Sequence, residues 1–380
     1  MTVRYLSRIG HALTIWIGAR RARGHGRQTA EPVLMYRAVK VKEGLGFTVA
    51  LYANKHVDAS QQVLAAGDFP HSPATDLMLA CVRRGQRLLD LGANVGAFAL
   101  AAAAAGCRVV AVEASPSNAY LLQASAQRNR FKEFRVIQSA ISNHQGTLRF
   151  FQAGPFGHVI DQSPVAARTP RTVDDQVVEV TATTVDRLLR KLRWPCPDFI
   201  KMDIEGSEIA AVEGMSQLLS RPDAPAILYE GNGHTLAFYN RTCQELKAAL
   251  ERFGYHNYLV DGPGCLRPVG AEDLQADTCV DYLAVKQLPS SLPGWKLLDP
   301  LSLQEIVARV VASSEFPTEH HRAYIARALR TAPAWLVGND QVVQALRKLR
   351  VDAHEDVRQA AAWSATLEQA NSHDRARQCA

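Results

Sequence analysis

Arg87-Leu88-Leu89-Asp90-Leu91-Gly92-Ala93-Asn94-Val95-Gly96-Ala97-Phe98 decides the fold of this chain. It reads as a short buried strand, a glycine turn and an alanine-rich helix running to about Ala105. Gly92 and Gly96 permit backbone angles and close approaches that a Cβ would block. After Gly106 a second strand, Arg108-Val109-Val110-Ala111-Val112, ends on Glu113. A strand, glycine turn, helix and second strand ending in an acid roughly twenty residues past the turn is a nucleotide-binding layout. An acid at that strand end can hold both hydroxyls of a ribose.

The turn also discriminates between nucleotides. A dinucleotide site would read G-x-G-x-x-G, because a pyrophosphate needs bare backbone at a helix N-terminus. Here Asn94 stands in place of the middle glycine, and Asp90 sets a carboxylate at the mouth of the turn. A pyrophosphate is repelled there, whereas a ligand carrying a sulfonium and an ammonium is attracted. The expected cofactor is therefore S-adenosylmethionine rather than NAD, and a turn that binds nothing is the bland alternative.

Composition sets the outer limits. A hydrophobic content of 47% with 21% charged residues is that of a globular protein with a sizeable core. The net charge of +6 owes much to Arg4, Arg8, Arg20, Arg21, Arg23 and Arg27, so it does not demand a nucleic-acid partner. Seven cysteines, an odd number without C-x-x-C spacing, suggest free thiols in a reducing cytoplasm. No stretch reaches the ~18 consecutive apolar residues of a membrane span. Residues 1–30 form a basic, amphipathic segment that suits either peripheral membrane contact or packing on the protein body.

Residues 31–286 read as one α/β unit. Two strands within residues 33–57 precede a helix over residues 76–82, expected to cover the cofactor. Ser115-Pro116 opens a helix over residues 119–130, since a first-turn proline loses no hydrogen bond. A third strand, Arg135-Val136-Ile137-Gln138, leads into Ser139-Ala140-Ile141-Ser142. Residues 147–151 and 177–181 read as a two-stranded insertion, with the loop 154–174 as a substrate lid and His158 solvated within it.

The second informative stretch is Asp198-Phe199-Ile200-Lys201-Met202-Asp203-Ile204-Glu205-Gly206-Ser207-Glu208. A strand delivers Asp203 to its carboxyl end, and a helix over residues 207–219 follows. So many charges at a strand end are costly unless they bind something, and ligands bind outside the carboxyl ends of strands in open α/β sheets. Asp203 is expected to face the reacting region with Lys201 and Glu205 near it, while Glu208 reads as a helix-cap surface acid. A fifth strand, Ala226-Ile227-Leu228-Tyr229, ends in Glu230-Gly231-Asn232-Gly233-His234, which sets His234 in a glycine loop as a further candidate base. A helix over residues 242–253 and two closing strands, residues 254–260 and 280–285, complete the unit.

The combination Asp90-Leu-Gly-Ala-Asn-Val-Gly96, Val112-Glu-Ala-Ser-Pro116 and Ile200-Lys-Met-Asp-Ile-Glu-Gly-Ser-Glu208, with Glu230 and Gly254-Tyr255 downstream, resembles the FkbM methyltransferase family over roughly residues 47–286. The resemblance implies a class I S-adenosylmethionine-dependent fold: Rossmann-like, with a mostly parallel seven-stranded sheet and helices on both faces. It also implies methyl transfer to oxygen, commonly a hydroxyl of a sugar, glycan or secondary metabolite. By position Asp90, Gly92, Asn94 and Gly96 would hold the methionine end, Glu113 the ribose, and Ser139 and Ala140 the adenine edge. Transfer needs the hydroxyl in line with the sulfonium and a base to take its proton, for which Asp203, Glu230 and His234 are the candidates. No spacing demands a metal and none is assigned, although a divalent ion on Asp203 and Glu205 stays open.

Residues 287–380 lie outside the resemblance and carry helical periodicity at 301–312, 320–330, 341–349 and 354–367. They read as a small helical appendage that docks on the catalytic unit or binds a protein partner. Three other readings compete with the methyltransferase. An inert Rossmann-type binding protein has no reason to keep Asp90, Glu113 and Asp203. An NAD-dependent oxidoreductase conflicts with Asn94. Nucleic-acid methylation expects a D/N-P-P-Y motif where Asp203-Ile204-Glu205-Gly206 stands, and the acids would repel phosphates.

Overall fold

The computed structural model describes residues 33–53, 59–152, 157–161, 176–194, 196–270, 279–288, 292–316 and 319–365. The N-terminal segment and most of the expected lid lie outside these residues. The chain opens with a hairpin, β1 (Leu34–Lys42) and β2 (Leu45–Tyr52), followed by α1 (Ala59–Ala66) and α2 (Pro73–Cys81). Ser72 caps α2 in a reciprocal box with Thr75, and Pro73 sits in the first turn, where its missing N–H costs nothing. The nucleotide-type unit then runs β3 (Arg87–Leu91), α3 (Ala97–Ala104), β4 (Arg108–Glu113), α4 (Pro116–Asn129) and β5 (Phe134–Gln138).

A second, smaller sheet interrupts the alternation. It is built from β6 (Ala140–Ile141), β7 (Gly146–Gln152), β8 (His158–Val159) and β9 (Gln176–Thr183), in the order β6-β9-β7-β8. Among the described residues four strands thus replace the expected two. The turn after β5 is itself one of them, because Ala140 and Ile141 pair with Ala182 and Thr183. His158 is not solvated: it is 6% exposed, with its ring 5.4 Å from Phe151 and 5.2 Å from Phe238.

The main chain direction resumes with α5 (Val185–Leu192), β10 (Phe199–Met202), α6 (Glu208–Glu213) and α7 (Ser216–Leu219). The single helix expected over residues 207–219 is broken at Gly214, where a Cβ would lie 2.2 Å from the Ser142 carbonyl oxygen. Then come β11 (Ala226–Asn232), α8 (Gly233–Phe238), α9 (Cys243–Glu251), β12 (His256–Val260), β13 (Cys265–Val269), β14 (Cys279–Val285) and β15 (Lys296–Leu297). The main sheet orders β15-β13-β12-β14-β11-β10-β3-β4-β5, with β14, β13 and β15 running against the rest. It is the α/β, mostly parallel arrangement expected of the class I fold. Among the described residues the sheet has nine strands rather than seven, because β13 and β15 extend the edge beyond β12.

Strand alternation divides the core between the two faces of the sheet. Leu88, Val109, Ala111, Phe199 and Leu228 face the hairpin, α2, α3 and α4. Leu89, Leu91, Val110, Ile200, Met202 and Ile227 pack into a second cluster with α5, α6 and α9. That cluster continues into the C-terminal helices α10 (Leu303–Ser314), α11 (Glu319–Ala328), α12 (Ala334–Val337), α13 (Asp340–Arg350) and α14 (Glu355–Ala361). Within them, Arg322 Nε and Nη2 bond both Asp352 oxygens at 2.8 and 3.0 Å, tying α11 to the segment before α14. Gln244 Nε2 donates across to the Ala328 carbonyl at 3.4 Å. Among the described residues no helix is long and apolar enough to cross a membrane.

Because the C-terminal helices share this core, Ile325→Ala should lower global stability by ~2–5 kcal/mol, the usual cost of emptying a buried aliphatic site. Urea unfolding followed by tryptophan fluorescence and far-UV circular dichroism checks this, with both signals expected to shift together.

Candidate active site

The carboxyl ends of β3, β10 and β11 meet where the strand order reverses, the crevice in which open α/β sheets bind ligands. The β3 turn is fixed by backbone. Gly92 N and Ala93 N both donate to the Val112 carbonyl at 3.0 Å, and Asp203 N donates to the Leu91 carbonyl at 3.0 Å. Gly92 has φ +80°, and a Cβ on it would lie 1.8 Å from the Asp203 carbonyl oxygen. Only glycine lets these two strand-end turns touch. Asn94 (φ 50°) and Gly96 (φ 100°) complete the turn, and a Cβ on Gly96 would meet Leu122 Cδ1 at 2.3 Å.

Glu113, 7% exposed, accepts from Asn94 N and Ser115 N, one bond of 2.8 Å on each carboxylate oxygen. Burial, only partly offset by these two bonds, pushes its carboxyl up to about 7. A carboxylate offers about four lone-pair sites, so two remain for donors such as ribose hydroxyls. Asp90 is 1% exposed, and its Oδ1 has no hydrogen-bond partner; neither has the buried Asn94 Oδ1. Two buried acceptors without donors fit a cationic or N–H-bearing ligand group. Ser139 donates its hydroxyl to the Thr181 carbonyl at 2.9 Å and its N–H to the Glu113 carbonyl at 3.0 Å. Ser139 and the buried Ala140 therefore tie the smaller sheet to the end of β4, and the Ser139 hydroxyl is already committed there.

Lys201 is the cation of the site. It lies beside Asp90 in the β10–β3 register, its Nζ is 2.7 Å from Asp203 Oδ2, and it sits 5.0 Å from the centroid of the Phe98 ring. Burial works against its charge, but Asp203 and Asp90 outweigh burial and raise its pKa. Burial raises Asp90 to about 6, with Lys201 lowering and Asp203 raising it. Glu205, at φ 53°, lies close by with a buried, unpartnered Oε2, and burial together with Asp203 and Glu230 raises its pKa well above the ordinary range.

Glu230 completes the cluster from β11. Cys279 Sγ donates to its Oε1 at 2.9 Å and Asn232 Nδ2 to its Oε2 at 3.3 Å. Burial and the Asp203 charge push it up to about 8. Among the described residues, Asp203, Glu205 and Glu230 bring their ligand atoms within 4.8 Å of one another, a set able to hold a metal ion. Their hard oxygens suit Mg²⁺ or Ca²⁺. The spacing argument considered only Asp203 and Glu205; Glu230 joins them because β10 and β11 are neighbours.

Two expectations are corrected. Glu208 is no surface acid: it is 2% exposed, and its Oε1 accepts from Ile204 N at 2.9 Å and Gly206 N at 3.3 Å. His234 is not in a loop but in the first turn of α8, with the Asn232 side chain capping His234 N and Thr235 N at 3.1 and 3.3 Å. The His234 ring packs edge-on against Phe238 at 4.8 Å. Asp281 escaped the sequence reading altogether. It stands opposite Glu230 in the β11–β14 register, and burial and Asp203 raise it to about 6. No local motif marks it, because only an antiparallel pairing brings it there. The six described cysteines are free, as expected.

The raised acids set a pH dependence. Folding lifts Asp90 and Asp281 to about 6, Glu113 to about 7 and Glu230 to about 8, so between about pH 4 and 8 the folded state binds more protons than the unfolded chain. Stability then falls as pH rises through that window. Thermal unfolding of the ligand-free protein should show a lower Tm at pH 8 than at pH 5.5; a flat or rising profile would contradict the burial of these acids.

The segment 90–256 matches the family model described as the methyltransferase FkbM domain. Comparison with curated proteins yields no match. Among solved structures the chain is similar to an O-methyltransferase from Bacillus cereus in complex with SAH, at 17% identity over 61% of this chain and 91% of that one, TM-score 0.32. A 16S rRNA N2 G1207 methyltransferase from T. thermophilus shares 17% identity over 69% of this chain and 53% of that chain, TM-score 0.35. Precorrin-6y C5,15-methyltransferase from Geobacter metallireducens shares 12% over 60% and 90%, TM-score 0.32. The glycine turn, the acid ending β4 and the acids ending β10 and β11 all fall inside the segment that matches the methyltransferase FkbM domain.

Proposed function

We propose that this protein transfers a methyl group from S-adenosylmethionine to a hydroxyl oxygen of a sugar, glycan or secondary-metabolite acceptor. The observation that carries this reading is the gathering of Asp203, Glu205 and Glu230 beside the turn that holds the unpartnered Asp90 and Asn94 oxygens. S-adenosylmethionine, when bound, supplies a methyl group on a sulfonium. Asp90 and Asn94 would accept from its ammonium end, and Glu113 from the ribose hydroxyls.

The acceptor hydroxyl would lie against the acids at the ends of β10 and β11. Asp203, oriented by Lys201, holds the hydroxyl, and Glu230 takes its proton. A carboxylate raised to about 8 is a base matched to neutral or mildly alkaline operation. His234, one turn further along, would face the acceptor rather than the reacting oxygen. The acid-rich crevice favours a neutral or cationic acceptor over nucleic acid, whose phosphates it repels.

Methyl-labelled S-adenosylmethionine incubated with a panel of neutral glycosides and polyols tests the reading, with the product analysed by NMR for a methyl ether. Label on nitrogen or carbon instead would overturn it. Asp90→Asn and Glu113→Gln should each weaken binding of S-adenosylhomocysteine roughly 10- to 100-fold in calorimetry, the worth of one charged hydrogen bond. Asp203→Asn and Glu230→Gln should leave that affinity intact and cut turnover by roughly 10²–10⁴-fold. The wild-type rate should climb with pH towards 8, and Glu230→Gln should remove that rise.

A further inference from the structure

We propose that Tyr324, in the C-terminal helix α11, is a positioning residue for the acceptor side of the crevice. It acts through the backbone of Gly233 on the turn that carries Asn232, Glu230 and His234. The C-terminal helices are then a working part of the transferase and not a separate partner-binding module. The functional half of this inference rests on the reading given under Proposed function; the physical coupling does not.

Three contacts carry it. First, a Cβ on Gly233 would lie 2.0 Å from Tyr324 Cε2 and 2.4 Å from its Cδ2 and Cζ, so the ring lies flush against this backbone and only glycine admits it. Tyr324 is itself 2% exposed, and its hydroxyl lies beside the Cys243 thiol at the start of α9. The ring is therefore held by packing against the Gly233 backbone. Second, the residue before Gly233 is the cap of α8. Asn232 Oδ1 accepts from His234 N and Thr235 N, while its Nδ2 donates to Glu230 Oε2. One side chain thus joins the helix start to the catalytic carboxylate. Third, α11 is braced from behind. Trp363 Nε1 donates to the Ala326 carbonyl at 2.9 Å, and Arg322 is paired with Asp352. A displacement of α11 cannot be absorbed by the ring alone and passes to the Asn232–Gly233 peptide.

The cofactor side lies elsewhere. Asp90, Asn94 and Glu113 belong to β3, β4 and the turn between them, whereas the Tyr324 ring lies flush on the Gly233 backbone at the start of α8. Losing the ring should therefore loosen one side of the crevice and spare the other.

The test is made on the full chain with three variants, Tyr324→Ala, Tyr324→Leu and Tyr324→Phe. Hydrogen exchange by mass spectrometry should accelerate at least tenfold over residues 230–239 in the alanine variant, without acceleration over residues 90–113. Binding of S-adenosylhomocysteine should stay within twofold of wild type. The Asn232 side-chain amide resonances, followed by ¹⁵N NMR, should move from their wild-type positions, and Tyr324→Phe should restore both exchange and resonances. If the alanine variant does not fold, the leucine variant, which keeps apolar volume without the ring, is read the same way. Uniform acceleration across the chain, or unchanged Asn232 amide resonances in a variant lacking the ring, would overturn the proposal. Failure of wild type to bind S-adenosylhomocysteine would sink the functional reading while leaving the exchange result to decide the coupling.

Discussion

Lys201 stands between Asp90 and Asp203, and the electrostatics of the crevice follow from that one buried ammonium. Asp90, Asp203, Glu205, Glu208, Glu230 and Asp281 converge on a region where water is scarce, and an isolated charge there is costly. A single lysine cannot neutralise them all. The remaining acids respond by moving their pKa values upward, as Glu205, Glu208 and Glu230 do. Such a site is short of positive charge, and binding a cationic ligand relieves that shortage. The same imbalance that weakens the fold as pH rises between about 4 and 8 favours a positively charged ligand.

Close backbone approach does the rest. Gly92 against the Asp203 carbonyl, Gly206 against the Thr235 carbonyl and Gly233 against the Tyr324 ring are three places where a side chain would force elements apart. A Cβ on Gly206 would lie 2.4 Å from the Thr235 oxygen and 2.6 Å from the Tyr239 ring. Tyr239 in turn donates its hydroxyl to the Val159 carbonyl at 2.6 Å, fastening the smaller sheet to the end of α8. The crevice is thus drawn together by backbone contacts, while its side chains remain available for chemistry.

The two halves of the site differ in how they are built. The half at the ends of β3 and β4 is local: a turn, the acid ending the next strand, and backbone donors that hold that acid in place. The other half is assembled from β10, β11, α8 and β14, which come from separate parts of the chain. This difference matters for what each half can recognise. A local turn presents the same geometry to one ligand, whereas a wall built from several elements can change with any of them.

The sequence by itself determined the local features. The alternation of apolar residues and turns marked β3, β4, β5, β10 and β11, and the D-x-G-x-x-x-G turn with Glu113 marked a nucleotide-type layout, because these depend on neighbours a few residues apart. The acids Asp203, Glu205 and Glu230 were legible as strand-end charges. Only the tertiary structure decided the rest. Asp281 reaches Glu230 through antiparallel register, and Cys279 becomes a donor for the same reason. Glu208 turns inward because the backbone N–H groups of Ile204 and Gly206 need an acceptor. His234 enters a helix because Asn232 caps it, and the extra edge strands form because β12 leaves an unpaired edge for β13 to cover. Each of these is settled by long-range pairing and burial, and residue spacing along one chain carries no record of which distant segments will meet.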